Sequence, residues 1–574
     1  MRWINLSAQS IAAAQDLADH PRDGEGPMTE ALHFTPRFLL ERHVAMSPPG
    51  NMSMFRAALF TPKLKVCCDF TRRPKPLPIT VAVLIFSSFC FRQMDSSALS
   101  LSEHGFTFSH TSAKPPALCA FAQAPAYTFP LKVSENHRYL VDQRGRPFRI
   151  QGDSAQSLIA NLTYAEAGTY LADRCSKGFN TVNINLLERK FAINAPKNRR
   201  GDDPFTDRVN FATPNEAYFD FADSIIDLAA SKGMLVTLAV MYLGYGGGSQ
   251  GWWSTLTNAV NTQEVCYRFG FYVGRRYKNR ANLLWVIGGD FTPPPGSEGE
   301  KRLHKFMEGI KAAGASQLWA GDWNAPCLST DVRAFASDMD VNAVYTYGMS
   351  GHDGLTYAES RAAYNYAPAR PAYLKETGYE DEVWLPGDSS SVRKYEYWAA
   401  LGGATAGIFF GHRDIWEFAT SGWSSGLAPG HGPWQGALNS PGNLDMMRLG
   451  KLLDSVAWYK LVPSGTGGTK ILITAGGGTY GGQDYVTAAA AADGKLLLAY
   501  LPPGANTAGV TINMGSLTGP VRGRWFDPSS GSYSDIAGGS FPNSGSHTFV
   551  IPGNNAVGAR DWVLVLRVKE NLRH

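Results

Sequence analysis

Residues 283–291 read LLWVIGGDF. Leu283, Leu284, Trp285, Val286 and Ile287 form an unbroken apolar run, the pattern of a strand buried on both faces, as parallel strands are. The run ends in Gly288 and Gly289, which let backbone approach closely, and then in Asp290. A loop containing Pro293, Pro294, Pro295 and Gly296 follows. A carboxylate at the carboxyl end of such a strand is where (β/α)8 barrels carry their catalytic groups. Taken alone, Asp290 could equally cap the following helix. A second acid of the same kind, further along the chain, shifts the weight.

Working outward, strand and helix signals alternate on both sides of this stretch. A first strand ends at Arg149-Ile150-Gln151-Gly152-Asp153. Thr163 and Glu166 make a capping box for a helix that stops at Gly178. Residues 179–186 (FNTVNINL) are rich in β-branched side chains and predict a second strand. The next helix is expected to be capped by Thr213, with Pro214 in its first turn and Glu216 closing the box. Its apolar face is Tyr218, Phe221, Ala222, Ile225, Leu228 and Ala229. Residues 234–241 (MLVTLAVM) predict the third strand, and a helix over 264–277 leads into the fourth, which is the opening stretch. After a helix over 300–313 come four more strands, at 318–324 (LWAGDWN), 341–347 (VNAVYTY), 371–377 (PAYLKET) and 404–411 (ATAGIFFG). Eight strands alternating with helices predict an α/β fold, a (β/α)8 TIM barrel over residues 126–460. A doubly wound sheet is the alternative, but the glycines at 244–248 (GYGGG) lack the GxGxxG spacing of a phosphate loop.

After Trp458 the helical signal stops, and short strands are expected at 470–474, 484–491, 495–501, 509–514, 521–527 and 562–568. Turns such as Asp493-Gly494 separate them, so residues 461–574 predict a small C-terminal β-sandwich. Residues 1–125 show no sustained period. Within them 79–91 (ITVAVLIFSSFCF), preceded by Arg72, Arg73 and Lys75, resembles the core of a signal peptide but sits far from Met1. It is also short for a membrane span. The expectation is a mis-assigned start or disrupted leader, with mature protein beginning near Pro125 and a secreted or periplasmic location; a genuine unstructured extension is the alternative.

The chain has 574 residues, 44% hydrophobic, 12% aromatic and only 18% charged, which describes a globular protein rich in rings. A formal charge of +4 is small for this length and argues against a nucleic-acid partner. Seven cysteines contain no CxxC pair and signal neither a zinc site nor a disulfide framework. No HExxH motif or clustered His/Asp spacing predicts a metal, no cofactor is expected, and there is no GxSxG elbow.

The second acid is Glu376, at the end of the seventh expected strand. Strands four and seven lie on opposite sides of an eight-stranded ring, so Asp290 and Glu376 are expected to face one another across the mouth. Two such carboxylates are what glycoside hydrolysis requires, one protonated toward the leaving oxygen and one ionised toward the anomeric carbon. The apolar strand behind Asp290 favours its neutral form and suits it as the acid. Lys375, Thr377 and Tyr379 surround Glu376 with polar partners that favour an ionised nucleophile. Asp153, Asn185, Tyr242, Trp323, Tyr345, Tyr347, His412 and Trp416 also fall on or just after strand ends. Rings that stack on sugars and polar groups that bind hydroxyls make these the candidate substrate-binding residues.

The segment 284–290 (LWVIGGD), with Tyr277 and Asn282 before it, resembles the WxxGGD segment of apiosidase-like glycoside hydrolases, the enzymes of family 140 and their relatives. Gly152-Asp153-Ser154, Gly178-Phe179-Asn180, Tyr218-Phe219-Asp220, Glu376 with Tyr379-Glu380, and Gly411-His412 with Trp416 fit the same pattern in the same order. The tail, with Trp525-Phe526-Asp527-Pro528 and Asp561-Trp562-Val563-Leu564, resembles the collagen-binding-type β-domain appended to such enzymes. The resemblance implies a barrel hydrolase with Asp290 as acid/base and Glu376 as nucleophile, releasing apiose or another pentofuranose from a pectic polysaccharide. It departs from the family at Gln156, where Trp is usual, and at Lys375-Glu376-Thr377, where a Gly-Glu-Pro type sequence is usual. Asp322-Trp323-Asn324 likewise replaces a His-Pro pair. The expected partner is a polysaccharide or oligosaccharide, with no stable membrane insertion. The competing reading is a non-catalytic glycan-binding or adhesion protein on the same scaffold.

Overall fold

The computed structural model describes residues 127–347, 355–382, 388–425 and 432–569. The leader-like segment and the 1–125 extension lie outside the described residues. A short antiparallel meander, β1 (Lys132–Val133), β2 (Leu140–Val141) and β3 (Pro147–Phe148), opens the described chain. Eight parallel strands follow. They are β4 (Ile150–Ser154), β5 (Thr181–Asn185), β6 (Leu235–Ala239), β7 (Leu283–Gly288), β8 (Trp319–Asp322), β10 (Asn342–Tyr345), β11 (Ala372–Glu376) and β12 (Gly407–Phe410). A two-residue strand, β9 (Cys327–Leu328), runs antiparallel to β10. The sheet order is β8-β7-β6-β5-β4-β12-β11-β10-β9, so all eight expected strands are present as a (β/α)8 barrel.

The seam between β8 and β10 is closed without a regular ladder. The Ser329 hydroxyl donates to the Gly321 carbonyl and accepts from the Gly321 and Ala343 amides. The Asp340 and Val341 amides reach the Trp319 carbonyl.

Alternation along each strand sorts side chains between two cores. Ile150, Leu235, Leu284, Val286, Ala320, Ala343, Tyr373 and Phe409 fill the barrel interior, and Leu131, Leu140 and Phe148 of the meander pack into the same cluster. Leu283, Trp285 and Ile287 belong instead to the cluster shared with the surrounding helices. Both faces of β7 are therefore buried, which is why it reads as a continuous apolar run rather than an alternating one.

The long helices are α1 (Tyr164–Ser176), α2 (Glu216–Ser231), α3 (Gln263–Tyr277), α4 (Glu298–Ala312), α5 (Leu355–Asn365), α6 (Ser389–Gly402) and α7 (Pro441–Asp454). The α1 capping box of Thr163 and Glu166 forms as expected. The cap of α2 does not. Asn215 takes that role, accepting from the Ala217 amide, while the Thr213 hydroxyl is spent on the Asp207 and Asn210 carbonyls of the preceding loop. Asp290 caps no helix, since α4 is capped by Ser297.

The C-terminal region is a β-sandwich. Its strands are β13 (Leu461–Pro463), β14 (Ile473–Ala475), β15 (Thr487–Ala491), β16 (Leu496–Leu501) and β17 (Val510–Asn513). The remainder are β18 (Val521–Phe526), β19 (Tyr533–Asp535), β20 (Ser546–Phe549) and β21 (Trp562–Val568). Six form one antiparallel sheet, β13-β15-β16-β21-β18-β19, and three form the other, β14-β17-β20. Leu497, Ala499 and Leu501 face the small sheet. Leu496, Leu498 and Tyr500, on the opposite face, join the core of the barrel. No helix of the described residues is long and apolar enough to cross a membrane.

Candidate active site

The turn after β7 takes its shape from three consecutive residues with positive φ, Gly288 (98°), Gly289 (125°) and Asp290 (52°). A Cβ on Gly288 would collide with the Asp322 carbonyl, and one on Gly289 with the Tyr242 ring. Only glycines let β7 pass so close to both. The third residue occupies the left-handed region that aspartate tolerates better than most side chains. Asp290 is thereby turned into the mouth, where its Oδ2 accepts from the Tyr242 hydroxyl at 2.7 Å and its Oδ1 from the Tyr345 hydroxyl at 2.5 Å. Burial, then the Asp290 charge, holds both tyrosines well above the ordinary phenol range, so they remain donors. The carboxyl of Asp290 is half-exposed and meets hydroxyls rather than the apolar strand that sequence reasoning set behind it.

Glu376 ends β11, three strands from β7 around the closed ring by way of β8 and β10, rather than directly opposite Asp290. The two strands between them, β8 and β10, contribute Asp322 and Tyr345. Lys375 Nζ lies 2.8 Å from Glu376 Oε2 and 2.7 Å from Asp322 Oδ2, and 5.1 Å from the centre of the Tyr345 ring. Burial raises the Glu376 carboxyl above its ordinary value, Lys375 pulls it back, and Asp290 pushes it up again. Burial also pushes Asp322 up to about 7, opposed by Lys375 and assisted by Asp290 and Glu376. Lys375 itself is held well above its usual range, because Asp322 and then Glu376 outweigh the burial that pulls its ammonium down.

Other candidates fall in two groups. Tyr242, Tyr345 and Tyr347 belong to the mouth: Tyr347 stacks near Tyr345, packs edge-on to Tyr379 and donates to Glu382 at 3.0 Å. Trp416 is half-buried and packs edge-on to Phe191 at 4.9 Å, which in turn meets Tyr242. Asn185 gives its amide to Glu188 at 3.0 Å, and Glu188 also accepts the amides of Arg189, Lys190 and Phe191. Asn185 thus anchors the loop that presents Phe191.

Three candidates are buried with partners inside the protein. Asp153 is fully buried, accepting from Tyr170 at 2.8 Å and paired with Arg174 at 3.1 Å, both on α1; it points out of the barrel. Trp323 is also fully buried, donating to the Ser329 carbonyl at 3.0 Å beneath the β8–β10 seam. His412 is 1% exposed and caps the short helix Arg413–Trp416 by accepting the Asp414 amide.

Lys375, read from sequence as a polar partner of Glu376, does pair with it, whereas Asp322 shows in the sequence only as a departure from the family pattern. Gln156 and Tyr379 were visible only as pieces of motif, yet Gln156 donates to the Tyr379 hydroxyl at 2.8 Å beside Glu376. Separations of 53 residues between Asp322 and Lys375 and 223 between Gln156 and Tyr379 carry no sequence signal that these groups meet.

Residues 134–460 match the family model described as "Apiosidase-like, catalytic domain". The chain belongs to the apiosidase-like glycoside hydrolases. Residues 472–567 of this apiosidase-like protein match a second model, "Putative collagen-binding domain of a collagenase". A solved structure described as a glycoside hydrolase is 23% identical with a TM-score of 0.66, the match covering 78% of this chain and 99% of the other. A family 5 glycoside hydrolase from Bacteroides vulgatus is 22% identical with the same TM-score, covering 76% and 93%. Likeness at these identities is one of fold. No curated protein matches the chain.

Proposed function

We propose that this glycoside hydrolase releases a pentofuranosyl unit, apiose in the first instance, from a pectic polysaccharide by a retaining two-carboxylate mechanism. The observation that carries the chemistry is the gathering of Asp290 and Glu376 at one end of the barrel: the Tyr345 hydroxyl donates to Asp290, and Lys375, over the Tyr345 ring, pairs with Glu376. Glu376, beside an ammonium, attacks the anomeric carbon as a carboxylate. The bond to the leaving oxygen breaks, and the Asp290 carboxylic acid gives that oxygen its proton, leaving a glycosyl ester on Glu376. Asp290, now a carboxylate, takes a proton from water as that water attacks the same carbon. The ester breaks, and sugar and ionised Glu376 are released. Tyr242 and Tyr345 fix the Asp290 carboxyl in both steps.

The pectic substrate and the pentofuranose rest on the family resemblance, and a secreted or periplasmic location rests on the leader-like segment 79–91. The test is sugar release from a panel of pectic and hemicellulosic polysaccharides by the parent, Asp290→Ala and Glu376→Ala proteins. One released sugar is expected, with each variant slower by about 10²–10⁴-fold and the anomer first formed retaining its configuration by NMR. Activity that survives loss of either acid would refute the assignment, and an inverted first product would refute retention.

A further inference from the structure

Lys375 is 5% exposed and Asp322 4%, yet the one ammonium touches two carboxylates at 2.7 and 2.8 Å. The second oxygen of Asp322 is buried and meets no protein donor. One positive charge cannot balance two negative ones in a water-poor interior, and such clusters keep a shared proton. Glu376 opens onto the mouth, whereas Asp322 lies beneath it, enclosed between β8 and β11. We propose that Lys375 and Asp322 are positioning residues for Glu376: Asp322 takes up the surplus proton, which leaves the Lys375 charge to hold Glu376 ionised and aligned. The assignment builds on the reading of Glu376 as nucleophile.

Other groups that face this cluster are few. Glu376 is also faced by Tyr379 from its own strand's loop, by Asp290 beyond β7, and by Tyr242 and Tyr345. Asp322 is faced by Asp290 and Glu376, by Tyr345 on β10, by Tyr373 on β11 and by the Cys327 thiol on β9. Among the described residues Lys375 is the one cation of this group. Removing it must therefore raise Glu376, whereas an amide in place of the protonated Asp322 must leave Glu376 near its parent value.

The experiment needs no substrate. The full chain is labelled with 13C at the glutamate carboxyl, the Glu376 resonance is assigned by its loss in Glu376→Gln, and its titration is followed in the parent, Lys375→Met, Lys375→Arg and Asp322→Asn proteins. Lys375→Met is expected to raise the Glu376 midpoint by about one pH unit or more, whereas Asp322→Asn, whose amide stands in for the protonated carboxyl, and Lys375→Arg stay near the parent. A Glu376 midpoint that stays put in folded Lys375→Met, or that falls by about half a unit or more in Asp322→Asn, overturns the inference. Should Lys375→Met not fold, an unchanged midpoint in Asp322→Asn supports the inference and a downward shift, the mark of an ionised Asp322, overturns it. Sugar release by Glu376→Ala from rhamnogalacturonan-rich pectin separates the two failures: activity retained there removes the nucleophile reading, whatever the titrations show.

Discussion

Asp153 and Asp290 are both aspartates at the tip of a barrel strand, yet one is sealed against α1 and the other opens on the mouth. Side chains alternate along a strand, so a single step in register exchanges the inside of the barrel for the helix layer. Asp153→Ala removes one of the two carboxylates that pair with buried Arg174, leaving Asp173 and the Leu438 carbonyl on it, and is expected to destabilise the protein by about 1–3 kcal/mol, read as a lowered denaturation midpoint, with KM unchanged in the folded fraction. At the mouth, burial raises Glu376 above an ordinary glutamate, and the nucleophile must be ionised. Activity should therefore rise with pH through an acid limb lying above 4.5, the ordinary glutamate value, and kcat/KM profiles measure that limb. Glu396 behaves differently. It is buried on α6, neither carboxyl oxygen meets a protein donor, and burial first, then Asp445 and Glu380, hold it well above its usual range. A carboxyl kept neutral by the fold contributes fully below the unfolded-state value and costs stability as pH rises above it. Glu396→Gln should thus gain in melting temperature over the parent progressively from pH 5 to pH 8; a constant difference would contradict this.

Elements were legible where a regular period or a cap chemistry marks them. The apolar runs of β6, β7 and β12 and the Thr163–Glu166 box announce themselves, because burial on two faces and a reciprocal cap leave few alternative readings. The start of α2 differs from the expectation because Thr213 and Asn215 are both good caps, and the fold of the preceding loop, which takes the Thr213 hydroxyl onto the Asp207 and Asn210 carbonyls, decides between them. Another feature no single-strand reading predicts is the contact of α3 with α4. A Cβ on Gly270 would strike the Phe306 carbonyl, one on Gly274 the Ile310 carbonyl, and one on Gly309 the Tyr267 carbonyl. These glycines let the two backbones touch. Gly270→Ala should therefore cost about 1–3 kcal/mol through overpacking, despite alanine's better helix propensity, as chemical denaturation would register.

At the scale of the whole molecule, the barrel and the β-sandwich share a core. The six-stranded sheet lays Leu496, Leu498, Tyr500, Val563 and Val565 against the barrel helices, and Tyr500 stacks on Tyr397 at 4.7 Å. Arg393 of α6, 1% exposed, pairs with Asp561 at 2.7 Å and also with Asp445 of α7. Arg393→Met is expected to cost about 3–5 kcal/mol and to lower one joint calorimetric transition rather than release a separately folding domain. Residues 461–574 expressed alone should aggregate, because that sheet face would be bare; a soluble, folded fragment would revive an independent binding role. Taken by itself, the sequence determined the eight parallel barrel strands, their order and the two carboxylates at strand ends, because periodicity and strand termini are local properties of the chain; it marked six of the nine sandwich strands and missed the short β13, β19 and β20 and the opening meander. Tertiary structure alone decided which strand-end residues face the mouth, that Lys375 bridges Asp322 to Glu376, and that the second sheet is buried on both faces. Those outcomes depend on register, twist and contacts between residues far apart in sequence, where local pattern holds no information.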